Sequence, residues 1–259
     1  MPFADVTDGR IHYELAGTPT APLLILSNSL GSNCSMWEPQ VAQLSNKWRV
    51  LRYDTRGHGQ STVTRGPYAL SQLGRDVLDL LGALGIEKFA FCGLSLGGMT
   101  GMWLGLHAPE RLQKLILCST AAKIGTAETW NARIDTVRKS GLKSISSATM
   151  ERWFTARFRA QDPQTVERVK HAFENTDPDG YIACCGALRD SDLREGIPGI
   201  RAATLVISAT HDPATPPSDG RFLTDHIRGT RYLELDAAHL SNIERKEQFT
   251  AEVEKFLTP

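Results

Sequence analysis

A short apolar run leads into a serine flanked by glycines in the segment Lys88-Phe-Ala-Phe-Cys-Gly93-Leu94-Ser95-Leu96-Gly97-Gly98. Residues 89–92 have the composition of a buried strand, and residues 99–107 have helical composition. Gly-x-Ser-x-Gly between a strand and a helix is typical of a sharp turn that exposes the serine hydroxyl. Glycine is favoured at positions 93 and 97 because a β-carbon there would crowd the turn. Ser95 is therefore a candidate nucleophile.

Apolar strands alternate with amphipathic helices on both sides of this segment. Strands are predicted at residues 3–7, 11–15, 22–27, 48–53, 88–92, 115–118, 204–208 and 231–235. Helices are predicted at residues 36–44, 73–84, 99–107, 220–227 and 246–257. This alternation predicts an α/β fold with a mostly parallel eight-stranded sheet covered by helices on both faces.

The alternation stops after Thr120 and resumes near residue 196. Between these points the sequence favours four helices, at residues 128–140, 146–158, 163–175 and 181–188, and no strand. A helical insertion of this length is typical of a lid or cap. We therefore predict a core made of residues 1–120 and 196–259, with residues 121–195 forming a helical cap inserted in it.

A serine needs a base to take its proton and an acid to orient that base. Asp212 directly follows one predicted strand, and His239 follows the last one. The carboxyl ends of parallel strands meet at one edge of the sheet, so both residues are expected to lie on the same edge as Ser95. Their order along the chain, serine, acid, histidine, fits a hydrolase of this topology.

Other candidates for the base and the acid fit less well. His58 precedes the serine within a glycine-rich turn, and His211 adjoins the presumed acid. Four further histidines have no special context: His12, His107, His171 and His226. Asp236 is close to His239 in sequence, and two more aspartates, Asp190 and Asp192, lie in the predicted cap.

Two backbone N–H groups are candidate donors to an oxyanion. The N–H of Leu96 begins the helix after the serine, and a second N–H, that of Leu30, lies in the loop Ser27-Asn-Ser-Leu-Gly31 after a buried strand. Donors of this kind stabilise the negative charge that develops during acyl transfer. The loop by itself is also compatible with a plain turn.

Composition narrows the classes of function. The 259 residues carry 29 basic and 29 acidic side chains, which indicates no basic field for nucleic acid or an anionic membrane. No apolar run approaches the ~20 residues that span a bilayer, and no secretory signal is recognisable. The five cysteines lack zinc-type spacing, which favours reduced side chains in a cytoplasmic protein. No metal cluster or dinucleotide motif is present, so we expect neither a metal nor another cofactor.

Several motifs resemble those of the α/β-hydrolase superfamily over nearly the whole chain, and within it those of the 3-oxoadipate enol-lactone hydrolases. The core motifs are shared by many esterases, so the narrower resemblance depends mainly on the segments of the cap. The resembling segments are Ser27-Asn-Ser-Leu-Gly31, Met36-Trp-Glu-Pro-Gln40, Arg52-Tyr-Asp-Thr-Arg-Gly-His-Gly-Gln-Ser61, Phe91-Cys-Gly-Leu-Ser-Leu-Gly-Gly98, Trp130-Asn-Ala-Arg133, Glu151-Arg-Trp-Phe154 and Gly180-Tyr-Ile-Ala-Cys-Cys-Gly-Ala-Leu-Arg-Asp190.

The resemblance implies hydrolysis of a small lactone that bears one carboxylate. It also implies Ser95, Asp212 and His239 as the catalytic triad, and Leu30 and Leu96 as the oxyanion donors. A pocket for this substrate needs a cationic anchor and apolar or aromatic walls. Among the cap arginines (Arg133, Arg152, Arg157, Arg159 and Arg189) we predict Arg133 as the anchor, with Trp130 or Trp153 as a wall.

Two other functions remain compatible with the same residues. A general carboxylesterase or a cofactor-free perhydrolase would use the same triad on other substrates. A small-molecule receptor built on a hydrolase fold is a further alternative. The intact serine, aspartate and histidine favour turnover over the receptor.

Overall fold

One sheet of eight strands organises the computed structural model, which describes residues 2–258. The strands are β1 Phe3–Val6, β2 Gly9–Ala16, β3 Leu23–Ser27, β4 Arg49–Tyr53, β5 Phe89–Leu94, β6 Leu112–Cys118, β7 Ala203–Ala209 and β8 Arg231–Leu235. Their spatial order is β1-β2-β4-β3-β5-β6-β7-β8. The pairs β1/β2 and β2/β4 are antiparallel, and all others are parallel. The predicted fold class is confirmed.

The central strands are mostly apolar because helices cover the parallel part of the sheet. All residues of β3 and β5 are buried, as Leu23–Ser27 and Phe89–Leu94 show. Full burial of one such leucine or phenylalanine side chain stabilises the fold by about 1.5–3 kcal/mol. The strands β5, β7 and β8 end at the same edge, and the loops that follow them carry Ser95, Asp212 and His239.

Helices connect the strands and form the layers that cover the sheet. They are α1 Glu38–Leu44, α2 Leu70–Ala83, α3 Leu96–His107, α4 Ala127–Ser140, α5 Lys143–Trp153, α6 Ala156–Gln161, α7 Pro163–Glu174, α8 Pro178–Asp190, α9 Pro217–His226, α10 Ser241–Glu244 and α11 Lys246–Leu257. Short 3₁₀ turns lie at Cys34–Trp37 and Ile197–Gly199. Helix α1 packs on α11, and α2 packs on α3. The mostly apolar helix α3 is buried from Leu96 to Gly105 because it lies between the sheet and α2.

Five helices, α4–α8, form the cap segment between β6 and β7. The single helix predicted at residues 146–158 is wrong, since α5 ends at Trp153 and α6 begins at Ala156. Phe154 adopts an extended conformation (φ −134°, ψ 140°), and the Thr155 hydroxyl accepts a hydrogen bond from the N–H of Phe158. The break is set by tertiary contacts at the site, which local helix propensity does not reveal.

The structure fits the proposed division into core and cap without defining its limits. The boundaries at 120/121 and 195/196 stay a prediction, and their outer limits, Met1 and Pro259, lie outside the described residues. Within residues 2–258, no helix has both the length and the apolar character needed to cross a membrane.

Candidate active site

Ser95 occupies a strained turn between β5 and α3. Its backbone angles are φ 59° and ψ −114°, a conformation that L-residues rarely adopt. A β-carbon on Gly93 would lie 2.2 Å from the carbonyl oxygen of Gly97. A β-carbon on Gly97 would lie 2.3 Å from the carbonyl oxygen of Ser27. The two flanking glycines are therefore required by close backbone approach, as the sequence predicts.

Hydrogen bonds from β6 and the loop after it hold this strained turn. The N–H of Ser95 donates to the carbonyl of Cys118 over 2.9 Å. The hydroxyl of Thr120 donates to the carbonyl of Ser95 over 2.8 Å, and Thr120 is buried. Sequence reasoning missed this role, because its only signal is the position of Thr120 directly after a predicted strand. The contacts offset part of the cost of the unfavourable backbone conformation.

Asp212 presents its carboxylate from the loop after β7. Its Oδ1 accepts hydrogen bonds from the N–H groups of Ala214 (2.8 Å) and Thr215 (3.1 Å). Its Oδ2 accepts from the Thr215 hydroxyl over 2.7 Å and from Nδ1 of His239 over 2.7 Å. Burial alone would raise the pKa of Asp212, but the imidazole of His239 and these hydrogen bonds lower it below its ordinary value. Asp212 is therefore ionised near neutral pH.

His239 is oriented by this carboxylate. An ionised carboxylate can only accept a hydrogen bond, so Nδ1 carries a proton, and in the neutral ring Nε2 is then the acceptor. His239 is 2% exposed and Asp212 is 3% exposed, which limits competition from water for their hydrogen bond. The pair has the geometry of a general base with its orienting acid.

The Nε2 atom of His239 contacts a serine that sequence reasoning missed, Ser29. The hydroxyl oxygen of Ser29 lies 3.4 Å from Nε2, in a weak hydrogen bond. Ser95 is 6% exposed, and its hydroxyl makes no hydrogen bond to His239 among the described residues. A resting site often tightens its catalytic hydrogen bonds only when substrate is bound. The position of Ser29 in the predicted oxyanion loop is the signal that could have identified it.

Two unpaired backbone N–H groups lie beside the elbow. The N–H groups of Leu30 and Leu96 are buried and donate to no acceptor within residues 2–258. The two loops are joined, because the N–H of Gly97 donates to the carbonyl of Asn28 over 3.0 Å. The Asn28 side chain donates to the carbonyl of Tyr53 over 2.7 Å, which fixes the loop against β4. Buried donors without partners at this place fit an oxyanion hole.

His58 holds the same loop through a hydrogen bond. Its Nε2 accepts a hydrogen bond from the N–H of Gly31 over 2.9 Å. Burial lowers the pKa of His58 to about 4, so the ring is neutral and can accept. His58 is thus a structural residue here, in agreement with the lower rank that the sequence analysis gives it as a base.

Cap side chains cover the loops that carry the site. Trp153 packs edge-on against Phe173 (ring centroids 5.5 Å apart), and Phe173 packs edge-on against Tyr181 (5.8 Å). A β-carbon on Gly31 would lie 2.7 Å from the Phe173 ring, so these rings pack directly on the oxyanion loop. The N–H of Leu240, the residue after His239, donates to the carbonyl of Trp153 over 3.0 Å. Trp153 therefore adjoins the histidine loop.

Arg133 and Arg152 are two cap cations without a carboxylate partner among residues 2–258. Arg133 donates to the Tyr181 hydroxyl over 3.1 Å, and its guanidinium lies 6.0 Å from the Trp130 ring centroid. Burial and the neighbouring charge of Arg133 lower the pKa of Arg152. By contrast, Arg157, Arg159 and Arg189 each form an ion pair with an acidic residue. Trp130 contacts Arg133, and its indole N–H donates to the carbonyl of Ile124, so the structure places Trp130 beside the cation.

The alternative acids have other partners. Asp236 is exposed and receives hydrogen bonds from Arg157, Arg245 and His211. Asp190 pairs with Arg189, and Asp192 pairs with Arg194. None of these three aspartates is hydrogen-bonded to His239 within the described part of the chain, whereas Asp212 is.

One cluster has the composition of a metal site, but its carboxylate is already hydrogen-bonded to neighbouring groups. His12, Cys34 and Asp54 bring ligand atoms within 4.8 Å of one another. The Asp54 carboxylate already accepts from the N–H groups of Cys34 (2.8 Å) and Gln60 (2.9 Å) and pairs with His12. Burial and the nearby carboxylates raise the pKa of the Cys34 thiol far above its ordinary value. The cluster is explained as a structural hydrogen-bond network.

The sheet, the elbow serine and the Asp212–His239 pair define the class of α/β hydrolases. The chain belongs to the α/β-hydrolase fold family, and the sequence pattern of that family matches residues 22–246. It is 44% identical to 3-oxoadipate enol-lactonase 2 of Acinetobacter baylyi, over 95% of this chain and 92% of that protein. It is 42% identical to 3-oxoadipate enol-lactonase 1 of the same organism, over 92% and 90% of the two chains. The crystal structure of the enol-lactonase from Burkholderia xenovorans LB400 superimposes with a TM-score of 0.98 and 46% identity, covering all of both chains.

Proposed function

We propose that this protein hydrolyses 3-oxoadipate enol-lactone to 3-oxoadipate through an acyl-enzyme on Ser95. The observation that carries the proposal is the buried Asp212–His239 pair beside an elbow serine and two unpaired backbone N–H groups. The substrate is supported by the relatives, which are named for this lactone and match nearly the whole chain. The narrower prediction made from the cap segments agrees with them.

Attack on the ring carbonyl is the first chemical step. Nε2 of His239 takes the hydroxyl proton of Ser95 while Oγ of Ser95 bonds to the carbonyl carbon. The negative charge that develops on the carbonyl oxygen is held by the N–H groups of Leu30 and Leu96. Asp212 keeps the imidazole in the required tautomer and stabilises the imidazolium.

Collapse of the tetrahedral intermediate breaks the ring ester bond. The leaving oxygen takes the proton from His239 and becomes an enol, which tautomerises to a ketone. This tautomerisation makes ring closure unfavourable. A water molecule then loses its proton to His239 and attacks the acyl-enzyme, and the product carboxylate leaves as Ser95 regains its proton.

The carboxylate of the substrate is assigned to the pair Arg133 and Arg152. The two cations lie close enough for their charges to oppose each other, and neither forms an ion pair with an acidic residue in the described range. An arriving carboxylate would relieve that repulsion and accept hydrogen bonds from both guanidinium groups. The rings of Trp153, Phe173 and Tyr181 would provide the apolar wall.

We place the enzyme in the cytoplasm with a small-molecule substrate and without a nucleic-acid or membrane partner. The support is the balanced charge and the five cysteines, all of which are buried and free within residues 2–258.

The decisive experiment compares hydrolysis of 3-oxoadipate enol-lactone with that of a neutral activated ester of similar size. The wild-type protein should prefer the lactone, and Ser95→Ala should abolish both activities. Faster hydrolysis of the neutral ester by the wild type would instead identify a general carboxylesterase that uses the same triad.

A further inference from the structure

Glu244 is a buried acidic side chain five residues after the catalytic histidine. It ends the short helix α10, and the residue is 9% exposed. Its Oε2 accepts a hydrogen bond from the N–H of Ala238, the residue before His239, over 3.1 Å. This contact joins the two ends of the loop that holds the imidazole.

The same carboxylate also reaches the cap. Its Oε2 accepts from the N–H of Thr155 over 3.1 Å, and its Oε1 accepts from the Thr155 hydroxyl. Thr155 lies at the break between α5 and α6. One side chain therefore binds both the cap and the histidine loop.

Backbone contacts continue this attachment on the other side of the histidine. The N–H of Leu240 donates to the carbonyl of Trp153 over 3.0 Å. The N–H of His239 itself faces the carbonyl of Arg152 at 3.5 Å. The residues before and after His239 are thus both tied to the junction of α5 and α6, one through Glu244 and the other directly.

A carboxylate is well suited to this place because every group that faces it donates. Two backbone N–H groups and one hydroxyl converge on two oxygens, and ionic hydrogen bonds of this kind are stronger than neutral ones. Removing the side chain would leave the buried N–H of Ala238 without its acceptor, and the loop would move to satisfy it.

We propose that Glu244 is a positioning residue that makes the placement of His239 depend on the seating of the cap. When α5 and α6 are seated, Glu244 and the Trp153 carbonyl hold the loop so that Nε2 can reach Ser95. When the cap is displaced, these contacts are lost and the base moves away from the nucleophile. The inference rests on the proposed function only for the roles of Ser95 and His239 and does not require the lactone to be the substrate.

A test uses three rate measurements on Glu244→Ala and Glu244→Gln. The first is the rate at which a fluorophosphonate probe labels Ser95, since phosphonylation needs the base but not the natural substrate. The second and third are kcat and KM for a neutral ester and for the lactone. The Glu244→Gln side chain would retain one carbonyl oxygen for the two N–H groups, so E244Q is the conservative variant.

Two matched controls separate positioning from loss of stability. Asp236→Asn removes an exposed attachment of the same loop, where Asp236 bonds Arg157 of the cap. Phe249→Leu weakens the core packing of α11, since Phe249 is buried against Trp37, and it removes no side-chain hydrogen bond of the histidine loop. All variants are compared at a temperature at which circular dichroism shows them folded.

We expect E244A to lower the labelling rate and both kcat values by about 10- to 100-fold, the cost of a misplacement of about 1 Å. The KM for the lactone should change by less than about twofold, and E244Q should recover part of the rate, remaining about three- to fivefold below the wild type because the amide lacks the charge of the carboxylate. D236N and F249L should stay within about twofold of the wild type.

Labelling by folded E244A at the wild-type rate would overturn the proposal, as would an equal loss in F249L. If E244A does not fold, the same comparison is decided by E244Q, which should then label more slowly than D236N. If the wild-type protein does not hydrolyse the lactone, while E244A still lowers labelling and ester hydrolysis as expected, the proposed substrate is contradicted and the role of Glu244 is supported.

Discussion

The hydroxyl oxygen of Ser29 lies 3.4 Å from Nε2 of His239, the nitrogen that receives the nucleophile's proton in the proposed reaction. In this structure Ser29, on the oxyanion loop, is the serine hydrogen-bonded to the base, whereas the elbow serine Ser95 makes no hydrogen bond to His239. Only Ser95 lies at the strained turn beside the unpaired N–H of Leu96. The assignment of the nucleophile depends on this distinction.

We expect Ser95→Ala to abolish both hydrolysis and covalent labelling by a fluorophosphonate, while Ser29→Ala keeps both. The weak hydrogen bond of Ser29 suggests a change in kcat of no more than about fivefold. Mass spectrometry of the labelled peptide identifies the modified serine. Modification of the peptide that contains Ser29 would contradict the mechanism.

Asp212→Asn should reduce kcat by about 10⁴-fold. The amide would present an N–H to the ring and favour the tautomer with the proton on Nε2, which cannot accept the proton of Ser95. Steady-state kinetics on the neutral ester measures the loss, and circular dichroism checks the fold. Asp236→Asn is the matched control, because Asp236 is exposed and bonds His211 instead of His239. A loss of less than tenfold in D212N would exclude Asp212 as the orienting acid.

Arg133→Ala and Arg152→Ala should each raise the activation free energy of lactone hydrolysis by roughly 2 kcal/mol. This value is at the low end for the loss of a charged pair, because both side chains are only partly buried. The loss corresponds to about 30-fold in kcat/KM. Hydrolysis of the neutral ester should change by less than about threefold, because this substrate has no carboxylate. Arg189→Ala provides the control, since Arg189 is already paired with Asp190. Equal losses on both substrates would contradict the carboxylate anchor.

His58 should make the protein less stable in acid. Burial lowers its pKa from 6.5 to about 4 in the folded protein, so the unfolded chain binds more protons between these values. The free energy of unfolding should therefore fall by roughly 3 kcal/mol between pH 7 and pH 4 from this group. Urea denaturation at a series of pH values measures the slope.

His58→Gln is the control for this titration, since its amide oxygen can still accept from the N–H of Gly31. The variant should show a shallower loss of stability over the same pH range. Identical slopes in H58Q and the wild type would show that His58 does not titrate as the structure indicates.

The sequence predicts the sheet, the elbow and the Asp212–His239 pair because each leaves a local signal. A run of apolar residues marks a strand, glycines at 93 and 97 mark the close backbone approach, and residues directly after strands lie at one edge. Strand β8 and helix α11 have the predicted limits, Arg231–Leu235 and Lys246–Leu257.

Features that depend on tertiary contacts leave no such signal. The break between α5 and α6 is stabilised by contacts of Trp153 and Thr155 with a loop more than 80 residues away in sequence. Glu244 looks like an ordinary surface glutamate until its buried partners are known. Arg152 forms no ion pair within residues 2–258 and has a pKa lowered by burial and by Arg133, and only the three-dimensional arrangement reveals these properties.

The position of the cap within the chain also has a consequence for folding. The elbow lies before the cap in the sequence, whereas the acid and the base lie after it, on the loops that follow β7 and β8. Pairing of β6 with β7 must therefore close a long connection, which makes it a slow, non-local step. The base and the acid reach Ser95 only when β7 and β8 join the sheet, because both residues lie on the loops that follow these strands. The order of the elements thus makes completion of the triad depend on the last strands to be synthesised.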